Sequence, residues 1–202
     1  MSYDRSRIDR RTVLGTLGTG TVIALAGCTG NGDDADDEEA DGDGTDPDGT
    51  DEDDGTEQLD QPADVPEEEP CAVCEMIAAE YPDWNAQLVH EDEERAFFCS
   101  SGCLSAYYAD PTAFDGPDSP VANAWVTGFE SGELLDAEEA HFVRVTDADD
   151  VDDVMMMNPT PFENREDAEA FVGEFEKYDE EDIIGFEDFD MDLAMLYREK
   201  FL

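Results

Sequence analysis

The stretch Ala86-Gln87-Leu88-Val89-His90-Glu91-Asp92-Glu93-Glu94-Arg95-Ala96-Phe97-Phe98-Cys99 decides the fold. Two short runs of strand character flank an acidic four-residue turn, which is the pattern of a hairpin. Behind it, Ser100 or Ser101 can cap a helix that carries Leu104, Tyr107 and Tyr108 at helical spacing. Asp110-Pro111 stops that helix, because the residue before a proline is driven out of the helical region. Residues 122–129 (Ala-Asn-Ala-Trp-Val-Thr-Gly-Phe) read as a third strand. The order is ββαβ.

The same order returns further along. His141-Phe142-Val143-Arg144-Val145 reads as a strand, and an acidic loop leads to Val154-Met155-Met156-Met157, at a strand-like position, and Pro161-Phe162. Asn164 caps a helix, with Asp167 three residues on and Ala168, Phe171, Val172 and Phe175 along one stripe. Asp182-Ile183-Ile184-Gly185-Phe186 is a closing strand. A last helix over 191–200 turns Leu193, Leu196 and Met195 inward. The expected class is α+β, with two similar ββαβ halves and a C-terminal helix over residues 70–202. What repeats is the order of elements, not the residues.

A chain entropy argument separates this domain from what precedes it. Residues 31–69 hold twenty Asp and Glu, no Lys or Arg and no aromatic residue. Such a segment buries too little apolar surface to offset its entropy, and like charges extend it. Residues 28–69 are therefore expected to be a disordered acidic tether.

The first 27 residues read as an export address. Arg5, Arg7, Arg10 and Arg11 precede an apolar run too short to span a bilayer. Arg10-Arg11 ahead of a Gly/Thr-rich core resembles a twin-arginine signal. Leu25-Ala26-Gly27-Cys28 resembles a lipobox, which implies cleavage before Cys28 and a lipid on its sulfur. The expected location is the extracytoplasmic face of the cell membrane.

Charge excludes whole classes of function. Across 202 residues, 57 Asp+Glu stand against 10 Lys+Arg, for a net charge of −47. No nucleic-acid binder working by phosphate neutralisation has that balance, and no basic patch is available for anionic lipid. Self-repulsion on this scale is screened at molar salt, which points to a salt-loving host. With two histidines, no Gly-rich phosphate loop and no Ser-His-Asp arrangement, nothing supports hydrolytic catalysis.

The chemistry lies in sulfur. Beyond Cys28, four cysteines remain, as Cys71-Ala72-Val73-Cys74 and Cys99-Ser100-Ser101-Gly102-Cys103. A pair ahead of a hairpin and a second pair at a helix start suit a four-thiolate metal site. In an oxidising compartment the same spacing also allows disulfides. Spacing alone leaves both open. Met76 follows Cys74 by two residues, and Met155-Met156-Met157 form a run. Thioethers beside thiolates favour Cu(I) over harder ions.

Pro70-Cys71-Ala72-Val73-Cys74-Glu75-Met76, Tyr81-Pro82-Asp83-Trp84-Asn85-Ala86-Gln87 and Phe97-Phe98 together resemble the NosL family. Met155 to Phe162 and the helix over 166–176 are similar to that family's second half. The resemblance covers residues 70 to about 188. It implies two ββαβ halves and an exported, non-enzymatic copper-binding lipoprotein that helps assemble nitrous oxide reductase. It also implies copper candidates at Cys71, Cys74, Met76 and Met155, with Met157 where relatives carry a His. Three positions depart from the family pattern. Glu75 replaces the usual Gly, Met155-Met156-Met157 replaces a Met-Gly motif, and Cys99 stands where many relatives have Asp. Cys99 and Cys103 instead resemble the ends of the small YHS and TRASH metal-binding modules. His90 and His141 are further candidates. Three other readings stand beside the delivery of Cu(I) to nitrous oxide reductase or another apo-cuproprotein. One is a thiol-disulfide oxidoreductase using Cys71 and Cys74; another is a structural zinc module closed by the four cysteines; the most distant is an organomercury-cleaving enzyme.

Overall fold

The computed structural model describes residues 59–153 and 155–202; the expected signal, Cys28 and most of the acidic spacer lie outside them. Strands β1 (Ala86–His90) and β2 (Arg95–Phe98) form the expected antiparallel hairpin. Its turn closes with His90 N–H donating to the Glu94 carbonyl at 2.8 Å and Glu93 at φ 71°. Helix α1 (Ser101–Ala109) follows, then β3 (Val121–Thr127), which pairs with the other edge of β1. All five residues of β1 are buried, as a central strand requires. A short strand not anticipated from the sequence, β4 (Leu134–Asp136), completes the order β2-β1-β3-β4.

The second half repeats this plan. Strand β5 (His141–Arg144) lies between β6 (Pro159–Phe162) and β7 (Ile183–Ile184), both antiparallel to it. Helix α2 (Arg165–Val172) connects β6 to β7. In each sheet the first strand of the half is central and its second and third strands flank it. The α+β class with two ββαβ halves and a C-terminal helix, α3 (Met191–Arg198), is thus the architecture found.

Two cores follow from strand alternation. On β5, Phe142 enters a large core with Leu88, Phe98, Leu104, Phe189 and Leu193. Its neighbour Val143 enters a smaller one with Phe162, Phe171 and Ile183 beneath α2. The halves are stitched together where Phe129 N–H donates to the Pro161 carbonyl at 2.8 Å. Pro159 and Pro161 lie on an edge strand, the position in a sheet that tolerates missing N–H donors.

Several sequence expectations are corrected. Met155, Met156 and Met157 form a turn, not a strand: Asp153 accepts from Met155 N–H through its side chain and from Met156 N–H through its carbonyl. Helix α2 stops at Val172 rather than near Glu176, while its Asn164 cap is as expected, with Oδ1 accepting from Asp167 N–H at 3.1 Å. The closing strand keeps only Ile183 and Ile184, because 3-10 turns over Glu180–Asp182 and Phe186–Asp188 flank it. On α3, Met195 and Leu196 are exposed; the inward stripe is Leu193, Ala194, Tyr197 and Arg198. Ahead of Pro70, the Ala63 backbone and the buried Gln87 side chain exchange two hydrogen bonds of 2.8 and 2.9 Å.

Candidate metal centre

Two pieces of the first half bring the cysteines together. Pro70 and Ile77 bridge in antiparallel fashion, so the intervening residues form a tight loop. Cys71 N–H donates to the Met76 carbonyl at 2.7 Å and Glu75 N–H to the Cys71 carbonyl at 2.9 Å. The loop needs a left-handed residue, and Glu75 supplies it at φ 63°. Ala72 N–H then donates to the Phe97 carbonyl at 3.0 Å, which docks the loop beside the end of β2. Cys99 follows that strand directly, and Cys103 lies in the first turn of α1.

The sulfurs of Cys71, Cys74, Cys99 and Cys103 all lie within 4.8 Å of one another. Cys74 and Cys99 are 3.4 Å apart at sulfur, Cys99 and Cys103 3.8 Å. All four are free thiols, far from the ~2.05 Å of a disulfide. A tetrahedral ion with metal–sulfur bonds of about 2.3 Å sets its sulfurs about 3.8 Å apart, so the donor set fits a metal ion. Cys71, Cys99 and Cys103 are buried, and Cys74 is half-exposed.

Such crowded thiols cannot ionise independently. Hydrogen bonds with Cys103, then Cys74 and Cys99, draw Cys71 well below the ordinary thiol range despite its burial. Cys74 is lowered too, chiefly by Cys103. Cys99 is pushed up, first by Cys103, and Cys103 is pushed up, first by Cys71. The four thiols therefore titrate as one coupled group. A metal ion that requires thiolates displaces their protons.

A buried arginine adjoins the cluster. Arg198, only 2% exposed, donates from Nε to Cys103 Sγ at 3.2 Å. Its other nitrogens donate to the carbonyls of Met157 and Tyr197, to Ser100 Oγ at 2.9 Å and to Asn158 Oδ1. Ser100 is the N-cap of α1, as expected, but its hydroxyl faces Arg198 and makes no capping bond. Asn158 Oδ1 also accepts from Gly102 N–H at 3.1 Å. Gly102 makes this approach possible: a β-carbon there would meet Arg198 Nη2 at 2.6 Å and collide with the Asn158 amide.

The methionines gather at the same core without a fixed ligand geometry. Met76, Met155 and Met157 are partly buried against the core that contains the cysteines. Met156 points outward, 62% exposed, on a backbone at φ 74°. His90 is fully buried, with Nδ1 bonded to the Ser119 carbonyl at 2.8 Å and Nε2 to Tyr107 Oη at 3.2 Å. Both ring nitrogens are thus engaged away from the cysteines. His141 opens β5 and is not part of the metal-competent cluster.

Sequence reasoning missed Arg198, Asn158, Ser100 and Gly102 as parts of this site. Arg198 follows Ala194 by four residues and shares its face of α3, but that this face turns inward is settled by tertiary contacts.

The model of the NosL family matches residues 62–192. No curated protein matches the chain. Among solved structures, it is similar to the crystal structure of the copper chaperone NosL from Shewanella denitrificans. That likeness has a TM-score of 0.53 at 20% sequence identity, over 65% of this chain and 97% of the other. A family match across nearly all of the described residues leads to one conclusion: the chain belongs to the NosL family.

Proposed function

We propose that this protein is a lipid-anchored, extracytoplasmic carrier of Cu(I) that delivers it to nitrous oxide reductase during assembly of that enzyme's metal centres. The observation that carries the copper reading is the cluster of four free thiols within 4.8 Å, with three thioether side chains packed against the same core. Soft sulfur donors without fixed hard ligands favour a cuprous ion and permit its exchange between proteins. The half-exposed Cys74 is the natural point of entry and exit. Cys71, Cys74, Cys99 and Cys103 are the primary ligands, and Met76, Met155 and Met157 assist. The copper-chaperone description of the similar solved structure supports this reading, as does the match to the NosL family. The export signal and Cys28 supply the anchor, and the acidic spacer holds the domain away from the membrane. The protein is a carrier and not an enzyme.

Anaerobic titration of the reduced full chain with Cu(I), against a chromophoric chelator, tests this. Binding tighter than micromolar is expected, and it should collapse in Cys71→Ser/Cys74→Ser. Weaker binding, or binding untouched by that pair of substitutions, defeats the proposal. Delivery is read by loading the copper-free reductase with the carrier as sole copper source.

A zinc module is the second reading, favoured by sulfur separations that suit a tetrahedral ion. Metal analysis of protein purified from its host separates the two. The oxidoreductase reading fares worse. Cys71 and Cys74 lie in a hairpin loop, not at the start of a helix that would activate one thiol.

A further inference from the structure

Arg198 is the one side chain of the second half hydrogen-bonded directly to a cysteine of the cluster among the described residues. A buried guanidinium is costly to desolvate unless an anion faces it. Among the described residues no carboxylate oxygen lies within 4.0 Å of Arg198. Asp153 influences it only by longer-range attraction. Its donors meet two carbonyls, a hydroxyl and an amide oxygen, all neutral, and one sulfur. In a chain with 57 acidic residues, a buried cation with no carboxylate in direct contact, the Asp153 carboxylate acting on it from beyond 4.0 Å, is a specific arrangement.

That arrangement matches the charge of a filled site. Binding of a monovalent ion by two cysteines releases two protons and leaves a complex of charge −1. Each further thiolate adds another negative charge. Such an anion in a desolvated pocket needs a cation at contact distance, and a charge-assisted N–H···S bond provides it. Resting on the carrier reading above, we infer that Arg198 is the built-in counter-cation of the loaded cluster. It acts through Cys103 as a positioning residue and sets how tightly the metal is held. The same guanidinium fastens the turn containing Met157 and Asn158 to the start of α1, so metal retention is tied to the junction of the two halves.

Charge and shape are separated by two variants of the full chain. Arg198→Lys keeps the charge and loses the planar fork; Arg198→Gln keeps polarity and loses the charge. Competition with a chromophoric chelator gives the Cu(I) affinity of each, with folding checked by circular dichroism. Arg198→Lys is expected to stay within threefold of the unsubstituted protein, and Arg198→Gln to bind at least tenfold more weakly. In a Cys103→Ser background, Arg198→Gln should cost less than threefold more, because its partner is gone. Equal losses in the Lys and Gln variants would mean a structural role and overturn the inference, as would unchanged affinity in the Gln variant or full additivity with Cys103→Ser. If Arg198→Gln does not fold, Arg198→Lys decides alone: retained affinity supports the charge and a tenfold loss refutes it. An unsubstituted protein that fails to bind Cu(I) sinks the carrier proposal instead, so the two failures are distinguishable.

Discussion

Arg198 and Cys103 stand 95 positions apart, yet Nε of the first donates to the sulfur of the second at 3.2 Å in a fully buried setting. This bond joins the C-terminal helix to the first turn of α1, so a residue from outside the first half touches a cluster built within it.

The cysteines differ in access. Cys74 is half-exposed and has a lowered pKa, whereas Cys71, Cys99 and Cys103 are buried. A bulky thiol reagent applied to metal-free reduced protein is expected to label Cys74 first and by at least tenfold in rate. Peptide mass spectrometry reads the order. Preferential labelling of Cys103 would contradict the packing described.

Gly102 has no room for a side chain. Its β-carbon would meet Arg198 Nη2 at 2.6 Å and press into Asn158. Gly102→Ala should destabilise the fold by about 1–3 kcal/mol, the range of overpacking. Denaturant unfolding measures this, and a neutral result would mean that Arg198 and Asn158 yield easily.

Glu75 sits in the left-handed region at φ 63°, where a β-carbon is strained and glycine is not. Glu75→Gly is expected to raise stability by up to about 1 kcal/mol, because relief of strain exceeds the added chain entropy. The shift in unfolding midpoint checks it. A loss of stability would show that the Glu75 side chain makes a compensating contact.

Tyr107 is buried, and its phenol is pushed up to about 12, first by burial and then by Glu94 and Asp92. Burial raises Tyr197 in the same direction. A raised folded pKa favours the native state while the phenol is neutral. That contribution is whole below about pH 10, the value in the unfolded chain, and drains away as pH climbs through about 12. Stability should therefore fall across this window, and the fall should be shallower in Tyr107→Phe. Thermal unfolding between pH 9 and 12 gives the slope.

Much of this was legible in the sequence because it is local. The hairpin around Glu91–Glu94 and the Asn164 cap follow from periodicity and turn chemistry, which neighbouring residues determine. The paired thiols Cys71/Cys74 and Cys99/Cys103 were visible as a motif for the same reason. The misread elements are those where nearby groups compete for the same backbone. Asp153 claims the N–H groups of Met155 and Met156 and bends a run of strand-like composition into a turn. Asp179, which caps one 3-10 turn, and Asp188, whose carboxylate accepts from Gly185 N–H in the other, trim β7 to two residues.

By itself the sequence determined the class of the fold, the acidity of the surface and the sulfur chemistry of the site, since composition and short-range spacing carry these. Only tertiary packing decided that the four thiols stay unbridged within 4.8 Å and that Met156 faces solvent while its neighbours face the core. It also decided which face of α3 turns inward. Arg198 is buried in place of Met195 and Leu196 because its five donors find acceptors on α1, on α3 itself and in the turn before β6, a match that no window of adjacent residues contains.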